Sequence, residues 1–338
     1  MFSMKNLMLC FVASLTLIGG LVGCTGEKES KPVEIALPKL TDTRGMEEKM
    51  TTITTLNGNQ VTYNMNTRRI VSLSSSGDLV ALGIKPLACE GYAITDGYED
   101  YFYGVEKLNY SQPFNQEELM TYRPEVIIVY DTMDLSNIRK LEKIATQAVI
   151  PVYYDEYDFE LRLGLIGEIF GVQDNANILI DYANKVKEAG EQAIRDLELD
   201  GKSVTIFSFY QAGICIPPTY RDGWTFNKIL YKDLKFKKTQ KVEEYLSDRT
   251  SQAYLAISNE KVHEYEGDIV LFADITARGN ENSDKVPDNV ATNVGWNSLQ
   301  AVKNNKVGIF NATLFASKDV LYVEQQYSLL IDALRKTI

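Results

Sequence analysis

The chain has 338 residues, 45 % hydrophobic and 24 % charged, which suits about two globular domains at roughly 150 residues each. That composition excludes a largely disordered chain, a collagen-like fibre and a polytopic membrane protein. The 35 basic and 46 acidic residues give a net charge of -11, which argues against nucleic acid as a partner, because neutralising phosphates needs surplus Lys and Arg.

Lys5 is the only charge in residues 1–23, and an apolar run spans Leu7 to Leu17. That run is too short for a comfortable transmembrane helix and reads as a secretory signal. It closes on Leu21-Val22-Gly23-Cys24, which resembles a bacterial lipoprotein lipobox, where small residues precede a cysteine that becomes lipid-modified. The alternative is an ordinary secretory signal cut nearby. The expectation is a signal peptide over 1–23, a lipid anchor of the palmitate type at Cys24, and a tether over 24–49. Such a protein sits on the outer face of a cell membrane, in a monoderm bacterium. Cys10 leaves with the signal. Cys89 and Cys215 remain, in different predicted lobes, and are expected as buried free thiols.

Asn57-Gly58-Asn59 between Thr- and Val-bearing runs predicts a hairpin over residues 50–64. Strands are predicted at 70–73, 86–89, 126–129 and 149–153, and helices over 76–82, from Asn115 to before Pro124, and over 135–146. This alternation predicts a parallel sheet with helices on both faces. Residues 174–197 place Ala176, Leu179, Ala183, Val186, Gly190, Ala193 and Leu197 at steps of three and four, which predicts a helix about 36 Å long. A helix of that length midway along an α/β chain can bridge two lobes. The second half repeats the alternation, with strands at 204–210, 213–216, 269–272 and 307–310 and helices over 224–230, 295–302 and 321–335. The predicted fold class is therefore α/β: an N-terminal lobe over 50–157, interlobe helices over 158–198, and a C-terminal lobe over 199–338.

An internal echo supports two similar lobes. Asn115-Gln116-Glu117-Glu118-Leu119 leads through Tyr122 into Glu125-Val126-Ile127-Ile128-Val129. Ser258-Asn259-Glu260-Lys261-Val262 leads through Tyr265 into Asp268-Ile269-Val270-Leu271-Phe272 at the same spacing. Each copy carries an acid in its first helical turn, Glu117 or Glu260. The helix dipole favours an acid there, so both glutamates also read as solvated helix starts. Glu118 can close a capping box with Asn115.

Taken together, Arg69-Ile70-Val71-Ser72-Leu73, Leu82-Gly83-Ile84-Lys85-Pro86, Glu117 and Pro124-Glu125-Val126-Ile127-Ile128 resemble the N-lobe of ferric-siderophore substrate-binding lipoproteins of ABC importers. Ile257-Ser258-Asn259-Glu260 and Trp296-Asn297-Ser298-Leu299-Gln300-Ala301-Val302-Lys303-Asn304 resemble the C-lobe signatures of that group, which also includes cobalamin and haem binders. The resemblance covers about residues 50–338. It departs at Thr67-Arg68, where the family has a proline before the Arg-Ile-Val start, and at Glu125, where Asp is common. It implies a class III periplasmic-binding-protein-like architecture, two α/β lobes joined by a single long bridging helix. It further implies that Glu117 and Glu260 dock onto arginines of a permease dimer, itself served by a cytoplasmic ATPase. Bidentate pairing of exposed carboxylates with Arg makes that physically sound.

Ligands of α/β sheets collect outside the carboxyl ends of the strands. Those ends and their loops carry Ser74 to Ser76, Tyr92, Tyr130, Tyr153, Tyr154, Tyr210, Arg221, Trp224, Arg278 and Phe315. Trp296, from a family signature, is a further ligand-binding candidate that can equally pack its helix on the sheet. Tyrosines suit a large chelate of mixed surface, and arginines suit the anionic oxygens around ferric iron. The siderophore holds its own iron, so no metal ligand or cofactor is expected from the protein, and its lone histidine, His263, reads as a surface residue. Two candidate arginines and no basic cluster favour a hydroxamate over a tri-anionic catecholate. The expected product is a monomeric binding protein without chemistry of its own. Haem or cobalamin capture is the alternative within the fold, and a lipid-anchored enzyme or a sensor's partner is the alternative from another class. No Gly-x-Ser-x-Gly elbow supports the enzyme.

Overall fold

The Asn57-Gly58-Asn59 turn joins β1 (Met50–Thr54) to an antiparallel β2 (Gln60–Asn64), and Gly58 takes φ 83°, a left-handed backbone that favours glycine. The remaining strands form two five-stranded sheets in this computed structural model, which describes residues 33–95, 97–109, 114–153, 158–211, 213–218, 225–247, 254–276 and 285–338.

The N-terminal sheet is built from β3 (Ile70–Ser72), β4 (Ala88–Glu90), β5 (Glu106–Leu108), β6 (Val126–Tyr130) and β7 (Ala148–Val152) in the order β5-β4-β3-β6-β7, all parallel. Its central strands are apolar runs buried on both faces, as a parallel sheet requires. Successive side chains alternate between two cores. Val71, Ile127 and Val129 pack with α2 (Gln116–Thr121) and α3 (Leu135–Leu141). Ile70, Ile128 and Ile150 pack with α1 (Ser76–Ala81), α4 (Phe159–Phe170) and α5 (Gln173–Asp196).

The C-terminal sheet contains β8 (Val204–Tyr210), β9 (Gly213–Ile216), β10 (Leu255–Ala256), β11 (Ile269–Asp274) and β12 (Val307–Asn311) in the order β10-β9-β8-β11-β12. β8, β11 and β12 are parallel, but β9 runs antiparallel to both β8 and β10. The expectation of simple alternation fails here for a steric reason. Only Gln211 and Ala212 separate β8 from β9, enough for a hairpin and far too few for a crossover. The helices are α6 (Thr225–Lys228), α7 (Gln240–Ser247), α8 (Asp288–Ala291), α9 (Val294–Ser298), α10 (Gln300–Lys303) and α11 (Val323–Arg335). The single helix expected over 295–302 is broken at Leu299, whose ψ of 138° is extended. The internal echo is real in topology: β6 and β11 hold the same fourth place in their sheets. The preceding turns differ, an α-helix in α2 and a 3-10 helix over Asn259–Tyr265.

α5 is the bridging helix, one residue out of register with its predicted bounds. Val172 precedes it and Asp174 sits in its first turn rather than capping it. Its buried face packs on α4 and on α11, so a single hydrophobic core runs through both lobes. Gly190 permits the approach of α11, because a Cβ there would lie 2.5 Å from Tyr327 Cδ1.

The tether ends earlier than its composition suggested. Residues 1–32, with Cys24, lie outside the described residues. Residues 33–44 are docked. Val33 is buried, and Ile35, Leu37 and Leu40 pack against the shared core. Asn175 on α5 donates its amide to the Thr41 carbonyl at 3.0 Å. Buried Arg44 pairs with Asp42 at 2.8 Å and donates to the Thr67 carbonyl at 2.6 Å. The alternation of Val33, Ile35 and Leu37 is the sequence signal for this extended, half-buried strap.

Candidate functional site

In both sheets the segments that follow parallel strands start at the carboxyl edges, and two of these segments meet. α1 follows β3, and residues 317–322 follow β12. Gly77 N–H donates to Asp319 Oδ2 at 2.8 Å, and Val320 N–H donates to Asp78 Oδ1 at 2.7 Å. Arg162 on α4 closes the group, with Nε 2.5 Å from Asp78 Oδ2 and a second donor on the Lys318 carbonyl. Tyr322 donates its hydroxyl to the Ala93 carbonyl beyond β4. The carboxyl edges of the two sheets therefore face one another across a buried clasp. Gly77 is required there, since a Cβ would fall 2.6 Å from Asp319 Oδ2.

This junction is rich in buried acid. Burial and the neighbouring Asp78 charge push Asp319 up to about 7. Burial pushes Glu90 up to about 8, although the Ser76 hydroxyl donates to it at 2.5 Å. Ser75 holds a left-handed backbone at φ 55°, and the buried Ser74 hydroxyl has no hydrogen-bond partner among the described residues. Strain and an unmet polar group at the carboxyl end of β3 fit a ligand-facing corner.

The predicted cleft residues divide into three groups. Tyr130 ends β6 half-buried. Tyr210 ends β8, is 44 % exposed, and stacks on Tyr254 with ring centroids 4.5 Å apart. Tyr153, just beyond β7, is half-buried. A second group, Arg221, Trp224, Arg278 and Tyr154, lies outside the described residues, as does the Tyr92 side chain. The third group is corrected. Phe315 is fully buried against Phe226 and Phe310, and Trp296 is 3 % exposed, edge-on to Phe207 and Phe272. Both are core residues, because their rings fill the space between a sheet and its helices. Sequence reasoning missed Tyr254, Asp78, Arg162 and Asp319. The ion pair has no sequence signal, since its partners are 84 residues apart.

Glu117 and Glu260 are both exposed in the first turns of their helices. Those helices lead into β6 and β11, so their N-termini stand towards the carboxyl edges of the sheets. Asn115 caps its helix by accepting from Glu118 N–H at 3.2 Å. Glu118 reaches Asn109 instead of closing the box. Cys89 and Cys215 are buried free thiols in separate lobes, and burial pushes the Cys215 thiol up to about 12.

A family model described as periplasmic binding protein matches residues 70–312. The chain belongs to the periplasmic binding protein family. It is 28 % identical to the iron(3+)-hydroxamate-binding protein FhuD of Bacillus subtilis, over 98 % of each chain. It is 25 % identical to the iron(3+)-hydroxamate-binding protein YxeB of the same organism, over 87 % of this chain and 88 % of the relative. Among solved structures, a FhuD fold-family protein from Bacillus subtilis superposes with a TM-score of 0.65 at 26 % identity, covering 84 % of this chain and all of that one. That protein is described as a periplasmic binding protein component of a Fep/Fec-like ferrichrome ABC transporter. The two sheets, the bridging α5 and the family match together make this a class III binding-protein fold.

Proposed function

We propose that this protein is a lipid-anchored, extracytoplasmic substrate-binding protein that captures a ferric hydroxamate siderophore and delivers it to an ABC importer. The observation that carries the reading is the near full-length likeness to an iron(3+)-hydroxamate-binding protein. The ferric ion is cargo and arrives inside its chelate, so the protein needs only surfaces that fit the complex. Tyr130 and Tyr210 supply apolar faces with a polar tip at opposing edges. Arg221 and Arg278 are the sequence's candidates for charge on the chelate oxygens, and Trp224 and Tyr92 are its further candidates for the ligand wall. Cys24 holds the protein to the membrane. Glu117 and Glu260, one per lobe, dock on the permease dimer, and no chemical step is asked of the protein.

The clasp bears on how capture works. Three hydrogen bonds run directly between the lobes, two of them to buried carboxylates, and Arg162 bridges Asp78 to the Lys318 carbonyl; together they oppose a wide opening. Capture by a nearly preformed cleft follows, with small adjustment around α5. Quenching of intrinsic fluorescence by ferric hydroxamates, ferric catecholates, haem and cobalamin tests the reading. Saturable quenching by a ferric hydroxamate is expected. A Soret or corrin spectrum on the purified protein would redirect it to haem or cobalamin, and no quenching by any of these would refute it. Reversing both charges, with Glu117→Arg and Glu260→Arg, should abolish import and leave ligand affinity intact. A fall in affinity would remove the docking role.

A further inference from the structure

A cavity of about 500 Å³ shares none of its lining with the cleft residues above. Four separate parts of the molecule build it. The docked strap contributes Glu34 to Leu37, the hinge helix α5 contributes Tyr182, and the C-terminal lobe contributes Leu321 and Glu324. Tyr98 and Tyr101 complete the wall, with ring centroids 6.2 Å apart. Tyr98 is held by an edge contact with Tyr322 at 4.7 Å. The volume lies in the range of small-molecule sites.

The lining is chemically one-sided. Three tyrosine rings and the apolar Ile35, Leu37 and Leu321 surround two carboxylates, and among the described residues no lysine or arginine lines the cavity. Neither Glu34 nor Glu324 forms a salt bridge among the described residues. Burial and the nearby Glu34 charge push Glu324 up to about 6, as expected of a carboxylate facing a like charge with no cation to answer it. Ring faces attract cations electrostatically, and rings grouped with carboxylates suit a cation that carries carbon substituents. A bare metal ion would leave the apolar wall unused.

We propose that this cavity binds an organic ammonium ion, set against the rings of Tyr98, Tyr101 and Tyr182 and neutralised by Glu34 and Glu324. The ligand touches strap, hinge and C-terminal lobe at once, so its occupancy fastens the strap across the hinge. The ammonium group belongs either to a soluble amine or, on the anchor reading proposed for Cys24, to a lipid headgroup.

Titration of the full chain in detergent micelles with tetramethylammonium chloride, against sodium chloride at matched ionic strength, tests this by calorimetry. Saturable binding is expected, weakened about tenfold by Glu324→Gln and by Tyr101→Ala. Glu34→Gln, at an exposed position, should weaken binding without altering the fold. Absence of saturable binding, or binding indifferent to all three variants, would overturn the proposal. The source is separated by hydrogen exchange of residues 98–101 and 321–324 on phosphatidylglycerol vesicles. Protection on adding phosphatidylethanolamine to the vesicles supports a headgroup, and protection on adding free ethanolamine supports a soluble amine. No protection in either arm would overturn the site. Ferric hydroxamate quenching should persist in all three variants, so failure of this site and failure of the transport reading are read separately.

Discussion

Arg162→Met is the sharpest test of how the lobes are held together. Arg162 and Asp78 have side chains 1 % and 0 % exposed, with Nε 2.5 Å from Oδ2. Methionine keeps most of the length and removes the charge. Asp78 is then left buried without its guanidinium, and breaking one side of a buried pair costs about 3–5 kcal/mol. The Lys318 carbonyl loses a donor in the same step, so the upper half of that range is expected. Asp78→Asn added to Arg162→Met removes the stranded charge, and the double variant should be more stable than Arg162→Met alone. Urea unfolding followed by tryptophan fluorescence reads both, since Trp296 sits in the C-terminal core. A loss below about 1 kcal/mol, or no recovery in the double variant, would show that this pair does not hold the lobes.

Asp319 and Glu90 make stability depend on pH in a defined direction. Asp319 keeps its proton to about 7 when folded, against 3.8 ordinarily, and Glu90 to about 8 against 4.5. Their contribution is full below the ordinary values and declines as pH rises through the folded ones. Urea midpoints should fall from pH 5 to pH 8, and Asp319→Asn should flatten that slope; an unchanged slope would contradict it. Gly77→Ala should destabilise the clasp, because its Cβ would lie 2.6 Å from Asp319 Oδ2, and should lower the thermal midpoint by several degrees. The Cys89 and Cys215 thiols, both buried, should resist thiol reagents in the native state and react only on denaturation. Rapid native labelling would place one of them at the surface.

The elements that sequence reveals well are those whose neighbours are local. β6 reads as a buried strand because Val126 to Val129 is apolar throughout, and α5 reads as a helix because its small and aliphatic residues recur at helical steps. The β8–β9 hairpin is legible in the two-residue gap between the strand runs at 204–210 and 213–216, although the alternation in the rest of the chain points to parallel strands. The site divides in the same way. Tyr130 and Tyr210 follow from strand positions alone as the residues that end β6 and β8. Trp296 and Phe315 do not, because an aromatic ring near a strand end can turn to either side, and packing with Phe272 or Phe310 decides which. Asp78, Arg162 and Asp319 are ordinary charges in the sequence and become special only through burial.

The clasp also bears on the order in which the chain can fold. Asp78 lies in the first helix of the N-terminal lobe, yet the N–H that satisfies one of its oxygens belongs to Val320. Gly77 likewise waits for Asp319, 242 residues later. A chain emerging N-terminus first from synthesis therefore carries an incomplete first lobe until almost its last residues arrive. Contacts of such separation slow folding, since the loop must close before they reward it. The two lobes are alike in architecture, but neither completes its core before the C-terminus returns to the beginning.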